Sequence, residues 1–201
     1  EFKIILRKID IDYSDKDLDV FDNEKIKSNF DLINKIPDKS FNQLHLDEKW
    51  ITEAYRGRRK SRNFKPINAS INQMCRFIEK FVTKSKKDIV ISAGAETNSL
   101  INGVKEKFNK NGVFAINDKK IIILDNISFT DLKIIIKKAD LVIACHGSPA
   151  HIASSFNTKI IDIFDQKNEE FYKFYTSHLR NYKYLYREDF TILAKNILQM
   201  V

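Results

Sequence analysis

Four short runs of branched aliphatic residues limit this chain most: Ile89-Val90-Ile91, Ile121-Ile122-Ile123-Leu124, Leu141-Val142-Ile143-Ala144 and Ile160-Ile161. Each is strand-sized, and none alternates with polar residues. A strand that is apolar at every position must be covered on both faces, which is the condition of a parallel sheet between two helical layers. The segments between the runs carry apolar residues at helical spacing. Met74, Phe77, Ile78 and Phe81 share one face, and Leu100, Ile101, Val104 and Phe108 share another. Strands are expected at 41–46, 88–92, 120–124, 139–144, 159–164 and 182–186. Helices are expected at 71–82, 97–108, 129–138, 149–156, 168–178 and 189–200. The predicted class is therefore α/β, a Rossmann-like parallel sheet with helices on both faces. Residues 1–40 follow no such pattern: a short strand near Phe2–Leu6, an Asp/Lys-rich stretch and one weak helix ended by Pro37. They are expected to be an N-terminal appendage to the βα-repeat domain at 41–201.

The remaining bulk properties narrow the class of function. No apolar run approaches the ~20 residues of a membrane helix. The chain begins at Glu1 rather than Met, so an upstream segment, targeting sequence included, is left open. Cys75 and Cys145 stand far apart, which suggests a reducing compartment and no metal site. The formal charge is +8, from 35 Lys and Arg against 27 Asp and Glu, and part of it is the bias of a Lys-rich composition. The run Arg56-Gly57-Arg58-Arg59-Lys60-Ser61-Arg62 is the exception, a basic loop suited to anionic ligands or an anionic membrane face. It lacks interleaved aromatic residues and any nucleic-acid motif, so nucleic acid is not an expected partner.

Parallel sheets bind ligands at the carboxyl ends of their strands, so the loops there carry the chemistry. After strand 139–144 comes Cys145-His146-Gly147-Ser148-Pro149-Ala150-His151. Gly147 allows a tight turn and close backbone approach, and Pro149 suits the first turn of a helix. Helix-start amides then form an anion site, with His146 and His151 beside it. The loop after strand 88–92 holds Gly94 and Glu96, and the acid is placed to accept from ribose hydroxyls. The loop after the first strand holds Lys49, a point charge for a phosphate, and Trp50, which either covers a base or anchors the loop. The glycine spacing is not that of a nicotinamide fingerprint, and no Walker loop or zinc spacing is present.

The segment ADLVIACHGSPAHIASSFNTKIIDIF resembles the C-terminal half of family 9 glycosyltransferases, the heptosyltransferase group. Ala139, Asp140, Pro149, His151, Ala153 and Phe156 agree with that family's motif. IIILDNISFTDLKIIIKKAD, VISAGAETNSLI and DEKW are similar to its other elements, and together the likeness spans about 41–200. The resemblance implies a GT-B fold whose C-terminal half holds a nucleotide-diphosphate sugar without metal or cofactor. On these positions, Glu96 would hold ribose, Lys49 the diphosphate, and Gly94, Gly147, Ser148 and His151 would shape the pocket. His146 is the tentative catalytic group. The chain departs from the family at three points: His146 stands where the family has an acid, Gly147-Ser148 inverts its pair, and Ala150 replaces its Met. The family's opening strand and Gly-Asp loop, which carry its acceptor site, are not recognisable in 1–40, so the resemblance implies a nucleotide-sugar-binding domain at 41–201 preceded by an appendage or the remnant of an acceptor domain or linker at 1–40.

The reading that follows is an inverting glycosyltransferase. It would move a sugar to a glycan or lipid-linked acceptor in surface polysaccharide synthesis, lipopolysaccharide included, from a cytoplasmic position that allows peripheral membrane contact. Two alternatives stand beside it: a non-catalytic module binding a nucleotide or anionic glycan, and another enzyme on the same fold, such as an epimerase or hydrolase using His146.

Overall fold

A computed structural model of the chain describes residues 34–51, 65–94, 98–108 and 113–201. Seven strands form one sheet: β1 (Phe41–His45), β2 (Asp88–Ser92), β3 (Val113–Ile116), β4 (Lys119–Leu124), β5 (Leu141–Cys145), β6 (Lys159–Phe164) and β7 (Tyr182–Tyr186). The helices are α1 (Ile71–Ser85), α2 (Ser99–Phe108), α3 (Phe129–Lys138), α4 (Ser148–Ser155), α5 (Glu169–Thr176) and α6 (Phe190–Gln199). In space the strands run β3-β4-β2-β1-β5-β6-β7.

All neighbouring pairs are parallel except β3 with β4. The parallel sheet was legible in the apolar runs, but the β3–β4 hairpin was not. It closes through Asn117 and Asp118 at φ 48° and 63°. Two consecutive left-handed residues make the primed turn that matches strand twist, and Asn and Asp tolerate it best after glycine. The hairpin adds an antiparallel edge to the expected parallel sheet.

The fully apolar strands have the cause anticipated for them. Ile89 and Ile91 face one helical layer, where α1, α2 and α6 supply Phe77, Ile78, Phe81, Ile101, Val104, Leu193 and Ile197. Val90 faces the other, where α3 and α4 supply Leu132, Ile135, Ile136, Ile152 and Ala153. Local signals fix the helix ends. Ser70 and Gln73 form a capping box at the start of α1, and Ser128 and Asp131 form another at α3. Lys86 closes α1 in the left-handed conformation at φ 54°. Ile36 belongs to the α3/α4 layer.

The order of the strands positions the site. From β1 the chain builds outward through β2 to β4, then returns to lay β5 on the other side of β1 and continues through β6 to β7. The loops leaving β1 and β5 therefore turn to opposite faces, and a crevice opens between them at the carboxyl edge.

Phe81 is fully buried on α1, whereas Ile192 on α6 is 50% exposed. Phe81→Ala is expected to cost roughly 3–5 kcal/mol and Ile192→Ala under about 0.5 kcal/mol. Urea unfolding checks this, and equal shifts for the two would contradict the assigned layers.

Candidate functional site

The crevice between β1 and β5 is spanned by one side chain. After β1, Asp47 starts a single 3-10 turn at Glu48–Trp50 by accepting from the Lys49 amide at 3.1 Å. Trp50 anchors the turn. Its side chain is fully buried, its Nε1–H donates to the His45 carbonyl at 2.9 Å, and its ring meets Phe190 edge-on at 6.5 Å. Of the two roles open to Trp50, the structure assigns the anchor. Lys49 then reaches across, and its ammonium donates to the His146 carbonyl at 2.7 Å and pairs with Asp47 at 3.0 Å. Burial is the largest single influence and opposes that positive charge, but Asp47, Cys145 and Glu48 together hold the ammonium above its ordinary value.

Gly147 caps α4 with no side-chain hydrogen bond, and Pro149 occupies the first turn. The glycine is there for space rather than for a left-handed turn. Its φ of 161° is extended backbone open to any residue. A Cβ added there would lie 2.8 Å from the Lys49 ammonium. The corner is thus shared between α4's first turn and the Lys49 ammonium. Ala150 N–H turns back to the Gly147 carbonyl at 3.1 Å, and His146 N–H is spent on Ile163. Among the described residues, the Gly147 and Ser148 amides are the ones left for a guest.

His146 is held by a group that sequence reasoning missed. Its Nδ1 lies 2.6 Å from Asp162 Oδ2, and Asp162 is fully buried on β6. The Tyr182 hydroxyl on β7 donates to the same oxygen at 2.7 Å. Burial first, then the Asp162 charge, push the Tyr182 phenol up, so it stays a donor. Asp162 Oδ1 is buried with no hydrogen-bond partner among the described residues. A carboxylate accepts only, so His146 Nδ1 carries the proton and Nε2 lies on the opposite ring edge. Tyr172 on α5 packs edge-on against the imidazole at 4.5 Å. The signal for Asp162 was present in Ile160-Ile161-Asp162-Ile163-Phe164: an acid inside a buried apolar strand must have a partner.

His151, also on α4, lies 6.0 Å from His146 and stacks on His178 at 6.0 Å, ring centre to ring centre. Burial, with the neighbouring His146 and His178, holds it below the usual imidazole range. The structure thus brings Lys49, His146, Gly147, Ser148 and His151 together at one corner. Gly94 sits one strand away, beyond the end of β2, with open space where a Cβ would be. Glu96 and the basic residues Arg56, Arg58 and Arg59 lie outside the described residues. A second omission is Arg187, 4% exposed, which ties the crevice walls together by donating to the Lys49 carbonyl at 2.6 Å and the Lys65 carbonyl at 3.1 Å.

Behind the crevice, Gln43 donates to Ser92 Oγ at 2.8 Å, and that hydroxyl meets His45 Nδ1 at 3.0 Å. Burial holds His45 below its ordinary value, which suits a neutral ring accepting from Ser92. Among the described residues no group of three or more His, Cys, Asp or Glu could hold a metal ion, and no helix is long and apolar enough to cross a membrane.

No family model matches the chain, and no curated protein does. Among solved structures, it is similar to the Methanocaldococcus jannaschii UDP-GlcNAc 2-epimerase in complex with UDP-GlcNAc and UDP, with a TM-score of 0.52 and 14% identity. The match covers 91% of this chain and 46% of that one, so the chain spans about half the length of its structural neighbour. At that identity the likeness shows the fold alone, a Rossmann-like α/β sheet. It does not extend to family 9.

Cys145 ends β5 directly under the site, and burial pushes its thiol up to about 12. Burial also raises the Cys75 thiol. The folded protein is therefore expected to resist thiol-specific reagents at pH 8, and to react at both cysteines once unfolded in urea. Fast native labelling of Cys145 would contradict the sealed strand end.

Proposed function

We propose that this chain is the nucleotide-sugar-binding half of a sugar-transforming enzyme. In this reading a nucleoside diphosphate sugar lies across the crevice between β1 and β5. The observation that carries it is the Lys49 ammonium at the one place where the strand order reverses, 2.7 Å from the His146 carbonyl and beside the uncapped start of α4. Two anionic phosphates suit that corner. Lys49 has three hydrogens, two of them committed to Asp47 and His146, and the third serves a phosphate oxygen. The Gly147 and Ser148 amides add neutral donors along the helix axis, worth roughly 0.3–1 kcal/mol through the dipole. Preorganised donors of this kind stabilise a departing diphosphate without a metal ion.

In the same reading Glu96, carried on the loop after Gly94, holds the ribose hydroxyls. His146 contacts the sugar-phosphate end, and His151 walls the pocket behind it. Arg56, Arg58 and Arg59 draw anionic donor or membrane towards the crevice. The solved neighbour's complex with UDP-GlcNAc and UDP supports a uridine nucleotide as the first donor to test. The finer assignment is an inverting glycosyltransferase acting in surface polysaccharide synthesis, with the acceptor held by a second half. Residues 1–40 would be the link to it. A second reading, epimerisation of the same donor, is favoured by that neighbour's own activity. The two differ in whether turnover needs an acceptor.

Calorimetric titration with UDP, ADP and GDP tests the reading. At least one is expected to bind, and Lys49→Met to weaken it by roughly 10–100-fold, the cost of one charged hydrogen bond. Saturable binding unchanged in Lys49→Met, or no binding by any of the three, would contradict it.

A further inference from the structure

The Asp162–His146 pair is built unlike the rest of the site. Asp162 has no exposed surface, whereas the His146 side chain is 17% exposed. The negative charge therefore sits in the sheet, and the ring that meets it opens outward. Burying a carboxylate is costly unless a charge or several donors compensate it. Asp162 has two donors on one oxygen and none among the described residues on the other. An imidazolium at His146 completes the compensation. A neutral His146 leaves it partial.

We infer that Asp162 and Tyr182 act as positioning residues that let His146 take up a proton when a diphosphate arrives, so that nucleotide-sugar binding is proton-coupled. The inference rests on the proposed nucleotide-sugar site. With Nδ1 fixed on Asp162, Nε2 is the edge left for the guest. A phosphate oxygen there places the ring between two negative charges, and its protonated form is the one that donates to both. The proton comes from solvent and stays on Nε2.

The surrounding groups direct the proton to this ring. From the loop after β1, Lys49 is already positive and bonds the His146 carbonyl, not its ring. From α4, His151 is held below its ordinary value by burial and by its two histidine neighbours. From α5, Tyr172 offers its ring edge. From β7, Tyr182 is held in its protonated form. The negative charge against the ring is that of Asp162, 2.6 Å from Nδ1.

The test is calorimetric titration with UDP-GlcNAc at pH 7.5 in buffers of differing ionisation heat. That probe has no phosphate ionisation near neutrality, so any proton taken up belongs to the protein. Wild type is expected to take up about half a proton or more per site. Asp162→Asn is expected to lose that uptake and to bind roughly tenfold more weakly at pH 6.5. Tyr182→Phe is expected to keep a reduced uptake. Nitrogen NMR of the wild-type His146 ring gives a reading independent of any variant, with Nδ1 protonated in the free protein and Nε2 gaining a proton on binding. Binding without proton uptake, uptake that survives Asp162→Asn, or a free ring protonated on Nε2 alone would overturn the inference and leave the binding site standing. Absence of UDP-GlcNAc binding with binding of ADP or GDP would overturn uridine as the base, and the same uptake is then read with ADP-glucose or GDP-mannose. Absence of binding by every nucleotide would overturn both proposals.

Discussion

The ammonium of Lys49 against the carbonyl of His146 is the contact on which the arrangement of this protein turns. It bridges two loops that the strand order drives apart, one leaving β1 and the other leaving β5. Without a cation there, the crevice would be a gap between diverging backbones. With it, the gap becomes a corner that is positive, narrow and fixed. The bridge is itself supported from below. Trp50 pins the turn that carries Lys49, and Arg187 pins that turn's backbone to the segment at Lys65. Gly147 is compatible with this corner because it has no Cβ to push the ammonium away.

The corner and the Asp162–His146 pair answer different physical problems. Lys49 supplies permanent charge, raised by Asp47 against the cost of burial. Asp162 supplies a buried negative charge that gains from a proton on the neighbouring ring. In the proposed reading, Lys49 holds the anionic guest and the Asp162–His146 pair makes the grip responsive to pH. Both lie along the carboxyl edge of the sheet, on the two strands that follow the reversal in strand order and on the loop of the strand that precedes it.

The fold was readable because its signal is redundant. Continuous Ile/Val/Leu runs required two covering layers, and Met74, Phe77, Ile78 and Phe81 placed one of them. The β3–β4 hairpin was missed because Val113–Ile116 is short and its turn uses Asn117-Asp118 rather than a glycine pair. At the site, Lys49, His146, Gly147 and His151 were legible from position alone, since each follows a strand end. Asp162 and Tyr182 were not. They sit inside strands, and their meaning lies in pairing between strands: β6 beside β5 brings an acid next to Ala144, two residues before His146. Register of that kind is tertiary information. Gly147 was read for a tight turn and close approach, and the structure adds which group would meet a Cβ there, the Lys49 ammonium.

The crevice between β1 and β5 has a rival elsewhere in the molecule. A cleft of about 700 Å³ opens at the opposite, amino edge of the sheet, lined in part by Lys84, Lys87, Lys159 and Lys183. Charge alone would allow an anion there. Amide chemical-shift mapping during a UDP titration of the isotope-labelled protein decides between the two. Perturbations are expected to concentrate at residues 45–51 and 145–151. Perturbations confined to the neighbourhood of Asp140, Lys159 and Lys183 would contradict the crevice as the site.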